Sequence, residues 1–223
     1  MERTPLRKRV LPAYTKAEER FSSVTHIVGG GFAILALLAC ILISAKSGSA
    51  LKILCSCVYG CSMVTVYCFS SIYHGLRPGM GKKVMQVLDH CGIYFLIAGT
   101  YTPIVLCAIA PAYPGWGWGI FAAVWALSIA AAVFTAIDLK KYSVLSMLCY
   151  ILAGWCIVPG LGPTLDVLGT AGFLWLLSGG ISYSLGAVLY GIGKKRRWMH
   201  GIFHLFVLLG SILQFNCVVA YVL

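Results

Sequence analysis

Seven apolar runs, at about 22–44, 51–74, 88–110, 115–137, 143–160, 166–191 and 200–222, account for most of this 223-residue chain. Each approaches the roughly 20 residues that cross about 30 Å of hydrocarbon at about 1.5 Å per residue. None alternates like a barrel strand, and lipid tolerates no unpaired backbone, so each run is expected to be a helix. Charged residues make up 10% of the chain, against roughly a quarter in soluble domains, too few to cover a water-soluble surface. The expected fold is an all-α integral membrane protein: a seven-transmembrane helix bundle over residues 22–223, behind an N-terminal segment of residues 1–21.

The basic residues give these runs a direction. The N-terminal segment holds Arg3, Arg7, Lys8, Arg9, Lys16 and Arg20, and later connections hold Arg77, Lys82 and Lys83, then Lys140 and Lys141, then Lys194 to Arg197. The intervening connections hold only Lys46 and Lys52, so alternate connections divide the 17 basic residues fifteen to two. By the positive-inside rule the N-terminus is cytoplasmic and the C-terminus outside, and an odd number of crossings keeps the alternation in step. A net charge of +11 therefore reads as membrane topology and contact with anionic lipid headgroups at the cytoplasmic face, not as nucleic-acid binding. The expected location is the cell membrane, as a multi-pass protein. The run that follows Arg7–Arg9 is too long for a secretory signal and is expected to be a retained first helix. Ten cysteines, none in a CxxC pair, read as small buried hydrophobes. Gly29, Gly30 and Gly31 would permit close helix packing, within one chain or between copies. Turns are expected at Pro111–Gly115 and at Gly160–Pro163.

Ionisable residues inside membrane helices are costly and mark function. All five histidines fall at the cytoplasmic ends of four runs: His26 in the first, His74 in the second, His90 in the third, His200 and His204 in the seventh. His200 and His204 are spaced i, i+4 and share a helix face, so both can reach one ion. With His74 they supply three imidazoles and leave a position open, as in catalytic zinc sites. Zn²⁺ is the expected cofactor, although imidazole also suits other transition metals. Asp89, at matching depth, is either a fourth ligand or a carboxylate that holds and deprotonates the metal's water. Ser70, one turn from His74, either contacts that water or a developing oxyanion, or bonds its own helix carbonyl. His90 points about 100° away from Asp89 and is expected to be a supporting residue or a non-ligand. Glu19, Ser22 and His26 form one stripe of the first helix, with Ser22 expected to contribute as a helix cap and His26 to support the site or carry a proton.

These residues sit in recognisable motifs. Ser70–His74 (Ser-Ser-Ile-Tyr-His), Asp89–His90, Ala98–Pro103 (Ala-Gly-Thr-Tyr-Thr-Pro), Met199–His204 (Met-His-Gly-Ile-Phe-His) and Glu19-xx-Ser22-xxx-His26 resemble the bacterial hemolysin III proteins. Those stand with the progestin and adipoQ receptors and the alkaline ceramidases in one superfamily of membrane hydrolases. The resemblance covers nearly the whole chain and implies zinc held by His74, His200 and His204, with Asp89 and Ser70 beside it. It also implies a cytoplasm-facing site reached from the bilayer, and hydrolysis of a lipid amide as in better-studied relatives. The short N-terminal stretch argues against a receptor.

The expected activity is thus metal-dependent intramembrane hydrolysis of a lipid amide or acyl bond, with membrane lipid as substrate. A pore-forming cytolysin fits poorly, because such a protein should be soluble before insertion. A membrane-homeostasis sensor with a structural metal would use the same three ligands. Transport is weaker still, since the polar layer lies at one face and not at the midplane.

Overall fold

The computed structural model describes residues 4–193 and 196–223, so the charges of Arg3, Lys194 and Lys195 lie outside the described residues. The described chain is helical, and six stretches are long and apolar enough to cross a membrane. They are α1 (Lys16–Lys46), α2 (Ala50–Gly75), α3 (Met80–Ala112), α4 (Pro114–Ile137), a 51-residue stretch Ser143–Gly193, and α7 (Met199–Tyr221). Large apolar side chains along α1, among them Ile27, Leu35 and Leu42, are exposed. Such a flank is stable in lipid and not in water. The chain is a multi-pass membrane protein.

The 51-residue stretch contains α5 (Ser143–Gly154) and α6 (Leu161–Gly193). As one straight helix it would be about 76 Å long, more than twice the hydrocarbon thickness. A turn and a short 3₁₀ segment, Val158–Gly160, interrupt it. The sharper break is Gly169, at φ 64° and ψ 173° inside α6. Positive φ is open to glycine at little cost. Trp155 and Ser184 flank Gly169 at nearly equal separations, and Trp155 Nε1–H donates to Ser184 Oγ at 3.1 Å. The chain therefore doubles back at Gly169 and not, as the sequence suggested, around Gly160–Pro163. Pro163 fails to stop the helix because it occupies the first turn, where its missing N–H is not needed.

Two other boundaries move. α3 begins at Met80, about two turns before the expected run, and relaxes into a π-helical segment at Ile104–Ile109 directly after Pro103. α1 begins at Lys16, where Thr15 Oγ1 accepts from Glu18 N at 3.3 Å and Glu18 Oε2 accepts from Thr15 N at 2.9 Å. This reciprocal cap corrects the expected capping by Ser22, which lies inside the helix.

Packing gathers the connections at two ends of the bundle. At one end Thr4 N–H donates to Asp138, Lys83 Nζ to the Arg7 carbonyl, and Trp198 N–H to Glu18. At the other, Lys52 Nζ reaches the Leu223 carbonyl and Tyr113 Oη–H donates to Asp166. Between them, Tyr67 and Tyr183 meet on the Ser211 hydroxyl at 2.8 and 2.9 Å, joining α2, α6 and α7 by polar contacts suited to a lipid-facing bundle. Gly29 lets α1 approach α2, since a Cβ there would lie 2.6 Å from the Tyr67 ring, whereas one at Gly31 would meet nothing within 4 Å. The close packing is thus internal at Gly29. All ten cysteines are free.

Candidate metal centre

His74 sits in the last turn of α2, and His200 and His204 lie on one face of the first two turns of α7. All three are buried. His200 Nε2 is 3.2 Å from His74 Nε2 and 3.2 Å from His204 Nε2, and the potential ligand atoms of the three lie within 4.8 Å of one another. Zinc–imidazole bonds of about 2.0–2.1 Å in tetrahedral geometry place ligand nitrogens about 3.3 Å apart.

The partners of the outer ring nitrogens set the direction of the inner ones. His74 Nδ1 lies 2.7 Å from Glu19 Oε2, and His204 Nδ1 lies 3.3 Å from the Ser22 carbonyl. Both acceptors call for a proton on Nδ1, which leaves the Nε2 lone pairs pointing inward. A proton on His200 Nε2 can satisfy only one of them. The cluster thus has more inward acceptors than donors, and a cation fits that donor set. Glu19 also pairs with Lys82, Oε1 to Nζ 2.7 Å, and the Lys82 side chain is 4% exposed. Lys82, counted in the sequence as a topology charge, is a buried partner of the carboxylate that orients His74.

With three imidazoles converging at the end of a multi-helix bundle, similarity to known proteins becomes informative. A family model described as "Haemolysin-III related" matches residues 14–215. The chain belongs to the haemolysin-III related family. It is 39% identical over 206 residues to "Hemolysin-3" of Bacillus cereus, covering 92% of each chain. Against "Hemolysin-3 homolog" of Bacillus subtilis (strain 168) it is 36% identical over 208 residues, covering 93% of this chain and 96% of the relative. It is 25% identical over 172 residues to human "Monocyte to macrophage differentiation factor", covering 74% of this chain and 68% of that one. No solved structure matches.

The other residues singled out in this haemolysin-III related chain take distinct places. Asp89 is buried on α3 but is not among the converging atoms; its Oδ2 lies 3.5 Å from His90 Nδ1. His90 stands off the cluster, with Nδ1 2.8 Å from the Gln86 carbonyl and Nε2 3.1 Å from Tyr190 Oη. Ser70 Oγ is buried with no hydrogen-bond partner, so of the two roles open to it the bond to its own helix carbonyl is not made. His26 stacks on His204 at 3.8 Å and 18°, and neither of its ring nitrogens has a partner. Ser22 contributes through its carbonyl, not its hydroxyl.

Sequence reasoning missed Tyr14, whose ring stacks on His200 at 4.8 Å and 22° and lies 5.9 Å from His74. Burial, then the neighbouring Tyr190, Glu19 and Asp89, push its phenol above the ordinary range, so it stays a hydrogen-bond donor. No periodicity singles out one tyrosine in an irregular, polar segment. Tyr190 was missed as well; its ring centre lies 5.8 Å from that of His200.

Proposed function

We propose that this protein is a metal-dependent, lipid-directed membrane hydrolase whose zinc would be held by His74, His200 and His204. The observation that carries this reading is the convergence of three buried imidazoles, with His200 Nε2 3.2 Å from both His74 Nε2 and His204 Nε2 and all three sets of ligand atoms within 4.8 Å of one another. When bound, zinc supplies Lewis acidity toward water and carbonyl oxygen. Asp89, the buried carboxylate on α3, takes a proton from the attacking water. The unpartnered Ser70 hydroxyl donates to the developing oxyanion. Glu19 holds the His74 ring through Nδ1, and Ser22 holds His204 through its carbonyl. A membrane lipid amide or ester is the substrate class, because the site lies in a bundle whose flanks face acyl chains.

The topology belongs to the same reading: seven crossings, with the metal centre and N-terminus cytoplasmic and the C-terminus outside, in a bacterial inner membrane. The break at Gly169, with Trp155 and Ser184 hydrogen-bonded across it, supports reading the 51-residue stretch as two crossings. Anionic headgroups would meet the basic connections on the cytoplasmic side. Alkaline phosphatase fused at the C-terminus should be active and fused after Lys141 inactive; the reverse pattern overturns the orientation.

Metal analysis of the detergent-purified full chain tests the function. About one zinc per chain is expected, and none in the His74→Ala, His200→Ala, His204→Ala variant. Zinc-loaded protein should then release fatty acid from at least one member of a broad lipid panel. No zinc in folded wild type sinks the metal reading. Zinc without any turnover, and with loss of fold on chelation, favours a structural ion in a membrane-homeostasis sensor. That second reading draws on the same geometry, since the ligands tie α2 to α7 and Glu19 adds α1.

A further inference from the structure

The segment before α1 is tied across the end of the bundle that carries the histidines. Thr4 N–H donates to Asp138 Oδ2 at 2.8 Å, and Arg9 Nη2 donates to the Ile137 carbonyl at 2.7 Å. Lys83 Nζ donates to the Arg7 carbonyl at 2.6 Å. These contacts fasten residues 4–9 to the α4–α5 connection and to the start of α3. At its other end the segment enters α1 through the Thr15–Glu18 cap, and Glu18 Oε1 accepts from Trp198 N–H at 2.8 Å just before α7. Between these fastenings the chain must pass over the mouth of the cluster, and there Tyr14 lies flat on His200.

The intervening stretch is built differently. Among the described residues, 10–13 make no hydrogen bond, and Val10 is 90% exposed. A segment fastened at both ends, unsupported in the middle and carrying one ring against a buried cluster can be released as a unit. Its fastenings are few hydrogen bonds, those of Arg9 and Lys83 exposed, each biasing closure by roughly two- to tenfold.

We propose that residues 4–15 are a latched cover on the histidine cluster. Tyr14 closes its mouth, and the bonds to Asp138 and Ile137 serve as the latch that admits a divalent cation and water from the aqueous side. Lipid, in contrast, would enter from the bilayer, so the two reactants would use separate routes. The inference uses the metal reading only for its cation.

Two rates in the full chain in detergent test it. The first is removal of zinc by EDTA from zinc-loaded protein. The second is carbethoxylation of His200 by diethyl pyrocarbonate in metal-free protein, mapped by mass spectrometry, which needs no metal at all. Arg9→Ala with Asp138→Ala should raise both rates about tenfold or more, two latch bonds being lost. Tyr14→Ala should do the same with the latch intact, while Tyr14→Phe, which keeps the stacked ring, should match wild type. Should the double variant fail to fold, Tyr14→Ala alone decides. Wild-type carbethoxylation in folded Tyr14→Ala overturns the cover. Absence of zinc binding in wild type would refute the metal reading instead, with the carbethoxylation rate still deciding on the cover.

Discussion

Replacing Glu19 by glutamine probes the centre with almost no change in shape. The carboxylate now serves two partners with separate oxygens, His74 Nδ1 and Lys82 Nζ, both at 2.7 Å. Glutamine offers one oxygen, so at most one bond survives and the negative charge behind His74 is lost. Removing such a partner of a metal-binding histidine costs about 10- to 100-fold in affinity, or about 1.4–2.7 kcal/mol. Lys82 also loses its counterion, keeping the Leu76 carbonyl at 3.1 Å and the Tyr73 ring at 5.0 Å. Because a buried charge without its partner is destabilising, thermal stability should fall too, and Lys82→Met in the same chain should restore it. Affinity should stay low in that double variant, because the charge behind His74 is still missing. A competition titration against a zinc-sensitive chromophore, with a parallel melting curve, reads both effects. Zinc affinity within twofold of wild type for folded Glu19→Gln would refute the role given to Glu19.

His26→Ala should leave zinc stoichiometry unchanged but lower the melting temperature, since it removes a buried ring stacked on His204 at 3.8 Å; lost stoichiometry would make His26 part of the binding set. Gly29→Ala should destabilise by about 1–3 kcal/mol through overpacking against Tyr67, whereas Gly31→Ala should be neutral or slightly stabilising, both read by thermal unfolding. Asp138 carries a clear pH dependence. The Lys141 and Thr4 backbone N–H groups, followed by weaker effects that include the Arg9 charge, hold its carboxyl down at about 2. Its folded value lies below the ordinary 3.8, so its stabilisation is complete above that pH and is lost as pH falls from 3.8 toward 2. Hydrogen-exchange protection of residues 4–9, corrected for intrinsic rates, should therefore hold at pH 5–8 and drop below about pH 4. In Asp138→Ala it should already be low at pH 6.

Much of the fold was legible because lipid enforces a simple rule: an apolar run of sufficient length must become a helix. That rule located the helices and placed every histidine near one end of the bundle. Reading where a helix starts was harder, since caps depend on local reciprocity. Ser22 looked like a cap, and the Thr15–Glu18 pair was the actual one. Reading where the chain reverses was harder still. Pro163 is a stronger breaker in isolation than Gly169, but in a first turn it does no harm, and only the backbone angles show which residue turns the chain.

The sequence by itself determined that the chain is a helical membrane protein, and that His200 and His204 share a face one turn apart. It did so because composition and helical period act locally. Only tertiary structure decided that His74 meets them with its Nε2 inward, because that depends on how α2 packs against α1 and α7. The same packing turned Lys82 from a surface charge into the partner of Glu19, left Ser70 without a hydrogen bond, and laid Tyr14 over His200. Contacts between residues 55 to 186 positions apart follow from close packing of whole helices, and no local pattern encodes them.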